Sequence, residues 1–288
     1  MTPKIILTLL NDRRHAAAML EHAMEVAKPQ GATIIALHVR PDPAAMMAQV
    51  DGQYFATMAA SVFETIDREA RESAEAVLSV VKSWSATHNV SQVDRVQAGD
   101  QVQYIWRDVV GQLEQIVVRE GQLADLILIG RPKSNDAPLD EVALESALFG
   151  TGRPVLLCPL AEKTIRSRIA LVAWNGSLEA TRAAAAALPL LARLERVEVV
   201  TIGQDGPGAA SADDLVGYLG AHGIKASASN IHELSGPAGK MILNHGQKIG
   251  AELIVMGAYT HSRVRELFLG GATREALRAA NVPVLLTH

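Results

Sequence analysis

Apolar residues in this chain come in short continuous runs separated by longer stretches of helical periodicity. IILTLL, TIIALHV, ADLILIG and PVLLC occupy the first half, and IALVAW, VEVVTI, AELIVMG and PVLLT the second. An unbroken apolar run, rather than an alternating one, is what a parallel strand covered on both faces requires. The pattern predicts strands near 4–10, 32–39, 92–97, 124–130 and 154–158, and again near 168–174, 196–202, 224–232, 251–257 and 283–287. Helical segments between short parallel strands make a doubly wound α/β sheet, whose ligands sit at the carboxyl ends of the strands.

The two sets of runs are copies of each other. KIILTLLND resembles RIALVAWNG, ADLILIG resembles AELIVMG, and RPVLLCP resembles VPVLLTH. The first pair is offset by 164 residues and the other two by 127 and 129, so the first copy carries 37 extra residues between its first and fourth strands. These fall around 41–74, where the sequence reads as a long helical insertion carrying Met46, Met47, Tyr54, Phe55, Met58 and Phe63. At helical spacing such residues fit a core, a partner surface or the lining of an apolar ligand pocket. The repeat predicts domains at 1–162 and 163–288, each a five-stranded parallel sheet, within the length expected of one domain.

Composition narrows the field. With 27 Lys and Arg against 31 Asp and Glu, the net charge is −4, and no basic excess is present to track a nucleic-acid backbone. The longest strongly apolar stretch, AAAAALPLLA, is ten residues, short of the roughly 18 needed for a membrane span. The beginning, MTPKIILTLLNDRR, suits a buried first strand rather than a signal peptide. A single cysteine, Cys158, excludes an internal disulfide and fits the cytoplasm; its place in an apolar run reads as core. His222, His232, His245 and His261 lack metal-ligand spacing, and neither a Ser-His-acid nor a Cys-His arrangement is legible. Binding, rather than an efficient enzyme, is expected.

The chemistry concentrates near the end. Gly257 closes an apolar run, and Gly270 and Gly271 precede the helical pattern TREALRAA. Glycines there allow close backbone approach, and a helix start with unpaired N–H groups favours an anion. The same glycines serve an ordinary turn equally well. Asn175, Gly176 and Ser177 follow the first run of the second copy, where Ser177 could cap the following helix, contact a ligand, or both. Ser235 and Gly236 precede a helix that Ser235 would cap, without Walker A spacing.

With Asn-Gly-Ser after strand one of the second half, where the first half has Asn11 and Asp12, and with an LIVMG-type strand four-fifths along and a final Pro-Val-Leu-Leu strand, the chain resembles the universal stress protein family, and the resemblance covers both halves, as in a tandem member. The family's nucleotide-binding branch has glycine, two residues, glycine, nine residues, glycine, then Ser or Thr. Here the spacing runs Gly257, Thr260, Gly270, Gly271, with Thr260 in place of a glycine and Gly271 in place of the hydroxyl, which Thr273 could restore. The resemblance implies an adenine nucleotide such as ATP, with Mg²⁺ accompanying it, in the second half. Arg263, Arg265 and Arg274 could add phosphate contacts. Where the family commonly has an acid at the adenine and ribose end, this chain has Asn175.

The first half lacks the motif: RPKSNDAPLDE follows Gly130, and Arg131 and Lys133 read as surface cations. The resemblance further implies a flavodoxin-like pseudo-dimer through the last strands, a stress-response role through an unknown protein partner, and at most slow ATP hydrolysis. A ligand-independent scaffold and an apolar-ligand binder using the insertion stand as alternatives, and a homodimer remains open.

Overall fold

A computed structural model describes residues 2–42, 56–131, 138–160, 168–203, 208–232, 236–258, 277 and 280–288, with backbone alone at 56–61 and 138–140. The first half contributes β1 (Ile5–Leu9), α1 (Arg13–Ala27), β2 (Thr33–Arg40), α2 (Ala56–His88), β3 (Ser91–Gln92) and β4 (Gln103–Val110). It continues with α3 (Leu113–Gly121), β5 (Leu126–Gly130), α4 (Pro138–Gly150) and β6 (Val155–Cys158). The second half contributes β7 (Ile169–Ala173), α5 (Leu178–Leu191), β8 (Arg196–Ile202), α6 (Ala212–Ala221) and β9 (Ala226–Ile231). After these come α7 (Ala238–Ile249), β10 (Leu253–Gly257) and β11 (Val284–Thr287).

All strands among the described residues join one 11-stranded sheet in the order β3-β4-β2-β1-β5-β6-β11-β10-β7-β8-β9. Within each half the neighbours are parallel, and the halves meet where β6 and β11 pair antiparallel, Val284 opposite Leu157 and Leu286 opposite Val155. Two copies of one topology are thereby related by an approximate twofold axis through the seam. In each half the order reverses beside the first strand, between β1 and β5 and between β7 and β10, which is where such sheets open a crevice.

The continuous apolar runs are explained by two cores. Along β5, Leu126 and Leu128 face one core while Ile127 and Ile129 face the other; along β10, Leu253 and Val255 divide from Ile254 and Met256 in the same way. One core packs the sheet against α1, α2, α5 and α6, and the other against α3, α4 and α7. Each fully buried Leu or Ile along these strands, facing one core or the other in turn, stabilises by about 1.5–3 kcal/mol.

The third strand of the first half corrects the expectation for 92–97. Ser91 and Gln92 form only a two-residue edge stub, and the full strand is QYIWRDVV at 103–110, paired with β2 over its whole length. Asp94 and Arg95 interrupt the earlier run, whereas the charges in β4 find partners: Asp108 with Arg40 at 3.0 Å, and Arg107 with Glu120. The expected helical insertion is continuous with the helix before that strand. α2 spans 33 residues, and Ala74, Val77, Val81 and Trp84 are buried towards its end. Phe63 is half-buried, while Met46, Met47, Tyr54, Phe55 and the Met58 side chain lie outside the described residues. Among the described residues no helix is long and apolar enough to cross a membrane.

Candidate functional site

The second crevice is built from the carboxyl ends of β7 and β10, paired through Leu253–Ala170, Ile254–Leu171 and Val255–Val172. The chain leaves β7 at Trp174, Asn175, Gly176 and Ser177. Ser177 is the N-cap of α5: its Oγ accepts from Ala180 N at 3.1 Å, and Asn175 Oδ1 accepts from Ser177 N at 3.1 Å. Gly176 adopts a left-handed φ of 68°, and a Cβ there would lie 2.4 Å from Ala209 Cβ. Trp174 Nε1 donates to Ala210 O at 2.8 Å, fastening the loop after β8 beside this turn. Gly257 ends β10 directly on the first turn of α5, where an added Cβ would lie 2.5 Å from Ala180 N. Thr287 Oγ1 donates to Glu179 O at 2.7 Å and fixes β11 to the same turn.

Asn175, Gly176, Ser177 and Gly257 therefore converge on the start of α5. Asn175 is exposed, with its amide oxygen held by the turn and its amide nitrogen bonded to no acceptor among the described residues. Glu179 places an acid in that first turn. Thr260, Arg263, Gly270, Gly271 and Thr273 lie outside the described residues, as do Lys133, His261, Arg265 and Arg274. Ser235 does too; the N-cap position of α7 is Pro237, which offers no side-chain cap, so the cap expected there is not the one α7 uses.

The first half treats the equivalent positions differently. Asn11 Oδ1 accepts from Val39 N at 3.1 Å, reaching across to β2. Asp12 caps α1 and is chelated by Arg14, whose hydrogen bonds outweigh burial and hold the carboxyl below its ordinary 3.8. The buried His38 ring lies beside Trp106, centroids 6.0 Å apart, with Nδ1 2.7 Å from Leu10 O. A Cβ on Gly130 would meet Leu160 Cδ2 at 2.7 Å, with Met19 behind it. Among the described residues, side chains of the protein therefore lie against Gly130 at the end of β5.

Arg131 is a correction. Expected at the surface, it is 4% exposed. Its Nη2 donates to Val282 O, across the seam, at 2.8 Å. No sequence signal distinguished it, because the acceptor lies 151 residues away. Cys158 is buried as expected, and burial pushes its thiol well above the ordinary range, away from nucleophilic chemistry.

His245 belongs to a hydrogen-bonded pair outside the crevices. His245 Nε2 lies 2.7 Å from Glu198 Oε1, which also accepts from Ser229 Oγ at 2.7 Å. Serine and imidazole both address the carboxylate rather than each other, so no activated nucleophile results. Burial raises the Glu198 carboxyl, but the bonds from His245 and Ser229, with the charges of His245 and Arg196, outweigh it and hold it below its ordinary 4.5. Among the described residues no group of three His, Cys, Asp or Glu could hold a metal ion.

Comparison with known proteins agrees with this architecture. Residues 167–288 match the model of the Universal stress protein family, so the C-terminal region carries a domain of that family. Universal stress protein Slr1230 of Synechocystis is 30% identical over 147 residues, 49% of this chain and 49% of that protein. The matched region thus spans about half the length of this curated relative. A universal stress protein from Archaeoglobus fulgidus superposes with a TM-score of 0.65 at 18% identity, covering 100% of this chain and 96% of that one. The cytoplasmic domain of a prokaryotic cation chloride cotransporter superposes with a TM-score of 0.50 at 12% identity, covering 98% and 93%. Likeness at such identities is one of fold, and the fold serves more than one kind of protein.

Proposed function

We propose that the chain is a tandem universal stress protein, with domains at 1–162 and 163–288, and that the second domain holds an adenine nucleotide, ATP-like, as a sensor rather than as an enzyme. The observation that carries this reading is the meeting of Asn175-Gly176-Ser177 with Gly257 at the switch point between β7 and β10. These segments, distant in sequence, share one helix start. The exposed Asn175 amide suits a base or ribose edge. The first-turn N–H groups of α5 and the stretch containing Thr260, Arg263, Gly270, Gly271 and Thr273 suit phosphate. Mg²⁺ would arrive with the phosphates. The first domain, in which Leu160 and Met19 lie against Gly130 and the nucleotide motif is absent from the sequence, supports the seam without a nucleotide of its own. The reading carries a cytoplasmic location and an effect exerted through a protein partner.

Small molecules released from freshly purified, denatured protein would be identified by mass spectrometry and compared with a Gly270→Asp, Gly271→Asp variant. An adenine nucleotide near one equivalent, lost in the variant, is expected. A protein that releases none, and takes up none on titration with ATP, overturns the reading.

One observation favours a second reading, a ligand-independent scaffold. Gly176 faces Ala209 and Gly257 faces Ala180, so the protein's own packing accounts for both glycines. Absence of nucleotide under both conditions would select it and turn attention to the α2 insertion as the docking element.

A further inference from the structure

The two edges of the sheet are built differently. At the first-half edge, β3 lies alongside the beginning of β4, and Val93 N donates to Tyr104 O just beyond it. β4 then carries Arg107 and Asp108, paired with Glu120 and Arg40. Charges and a covering segment are how proteins keep an edge strand from pairing further. β9 forms the other edge and reads ASASNI, six residues without a charge, a proline or a glycine, in unbroken register with β8.

The ladder fixes which groups face out. Val197 N donates to Lys225 O and Gly203 N to Ile231 O, so Lys225, Ser227, Ser229 and Ile231 turn their main chain towards β8. Ala226, Ala228 and Asn230 turn theirs outward, where no strand among the described residues meets them. Ser227, Ala228 and Asn230 are exposed. Such a row of donors and acceptors takes up another extended strand. A lone peptide gains little grip on alanine and serine side chains, whereas a second copy of this chain brings flanking surface with it. About Ala228 as centre, the strand is its own complement: Ala228 opposes Ala228, Ala226 opposes Asn230 and Ser227 opposes Ser229, with small residues on both faces and no like charges opposed. α6 packs over β8 and β9. A twofold at Ala228 therefore sets it two strand spacings from its copy, about 10 Å, the distance at which helices pack. The right-handed crossover turns the flank of α6 bearing Val216 and Gly220 towards the open edge, and a Cβ on the exposed Gly220 would meet nothing within 4 Å, which leaves the second helix room.

We propose that a second copy of this chain docks on β9, the two β9 strands pairing antiparallel about a twofold axis at Ala228 and the two α6 helices packing side by side, so that one sheet runs through both copies. Ala226, Ala228 and Asn230 of each copy then exchange N–H···O bonds with the other. The surface lies at the far edge of the second half from the β6–β11 seam and does not rest on the nucleotide reading.

The test is sedimentation equilibrium of the full chain from about 1 to 100 µM, a range that brackets micromolar self-association. A mass rising towards that of two copies is expected. Ala228→Pro removes an outward N–H while leaving the ladder to β8 intact, and is expected to raise Kd at least about tenfold. Ala228→Lys and Ala228→Asp each set like charges opposite one another across the axis and are expected to do the same, whereas an equimolar mixture of the two associates more tightly than either alone. Far-UV circular dichroism verifies that each variant is folded. If Ala228→Pro does not fold, the charged pair and its mixture carry the test. A chain that stays monomeric throughout overturns the proposal, even if its edge takes up a strand from another protein. A dimer that all three variants leave unchanged overturns it by placing the contact on another face, and a mixture no tighter than its components overturns the axis at Ala228.

Discussion

The two halves end their fourth strands at matched glycines, Gly130 and Gly257, and then diverge. Gly257 rests on backbone, the first turn of α5, whereas Gly130 rests on the flexible ends of Leu160 and Met19. Among the described residues, the side chains of Asn11 and His38 bond main chain beside the first switch point, whereas beside the second an indole, Trp174, bonds a neighbouring loop. A duplicated fold can thus keep its strand order while changing what lies over the switch point. The sheet is specified by many apolar positions, the crevice by a few.

The largest test of that contrast is alanine at the two glycines. Gly257→Ala must displace helix backbone and is expected to cost about 3 kcal/mol, while Gly130→Ala displaces only a leucine end and costs about 1 kcal/mol or less. Chemical denaturation of both variants measures the difference, and equal costs would remove the distinction between the crevices.

Trp174→Phe comes next. Leu10 holds the equivalent place in the first half, so the hydrogen bond to Ala210 O belongs to the second alone. Its loss is expected to cost about 1–2 kcal/mol and to raise hydrogen exchange at residues 209 and 210. Unchanged exchange would mean that the indole does not hold the loop.

A smaller and deliberately symmetrical effect is expected at the helix caps. Ser177→Ala and Asp12→Ala each remove a side chain that accepts from a first-turn N–H and should each cost about 1 kcal/mol. A marked excess at Ser177 would show that its role extends beyond capping.

Glu198→Gln is expected to cost less than about 1 kcal/mol at neutral pH, because the pair with His245 is partly open to water. Its signature is the acid limb. A carboxyl held below 4.5 in the folded state contributes stability that is present above that value and lost as pH falls through the folded pKa. The variant should therefore lose less stability than wild type on acidification below about 4.5; parallel acid limbs would remove Glu198 from the account.

The architecture was legible because a parallel strand buried on both faces needs an unbroken apolar run, and the runs recur in the same order twice. The first half's third strand escaped because Arg107 and Asp108 break its run, and their partners, Glu120 and Arg40, come from other elements. The candidate site was legible only as residue types at a spacing. That Gly176 and Gly257 also meet Ala209 and Ala180 was decided by packing, since a missing Cβ does not reveal whether a ligand or the protein approaches it.

Pattern and repeat by themselves determined the α/β class and the recurrence of the strand order, because these depend on local runs of residues that must leave water; that the last strands meet at the seam was implied by the family resemblance alone. Tertiary structure alone decided that Arg131 is buried rather than exposed. Its burial depends on Val282 being brought across the β6–β11 junction, and a contact between positions 151 residues apart exists only once both sheets have formed and joined.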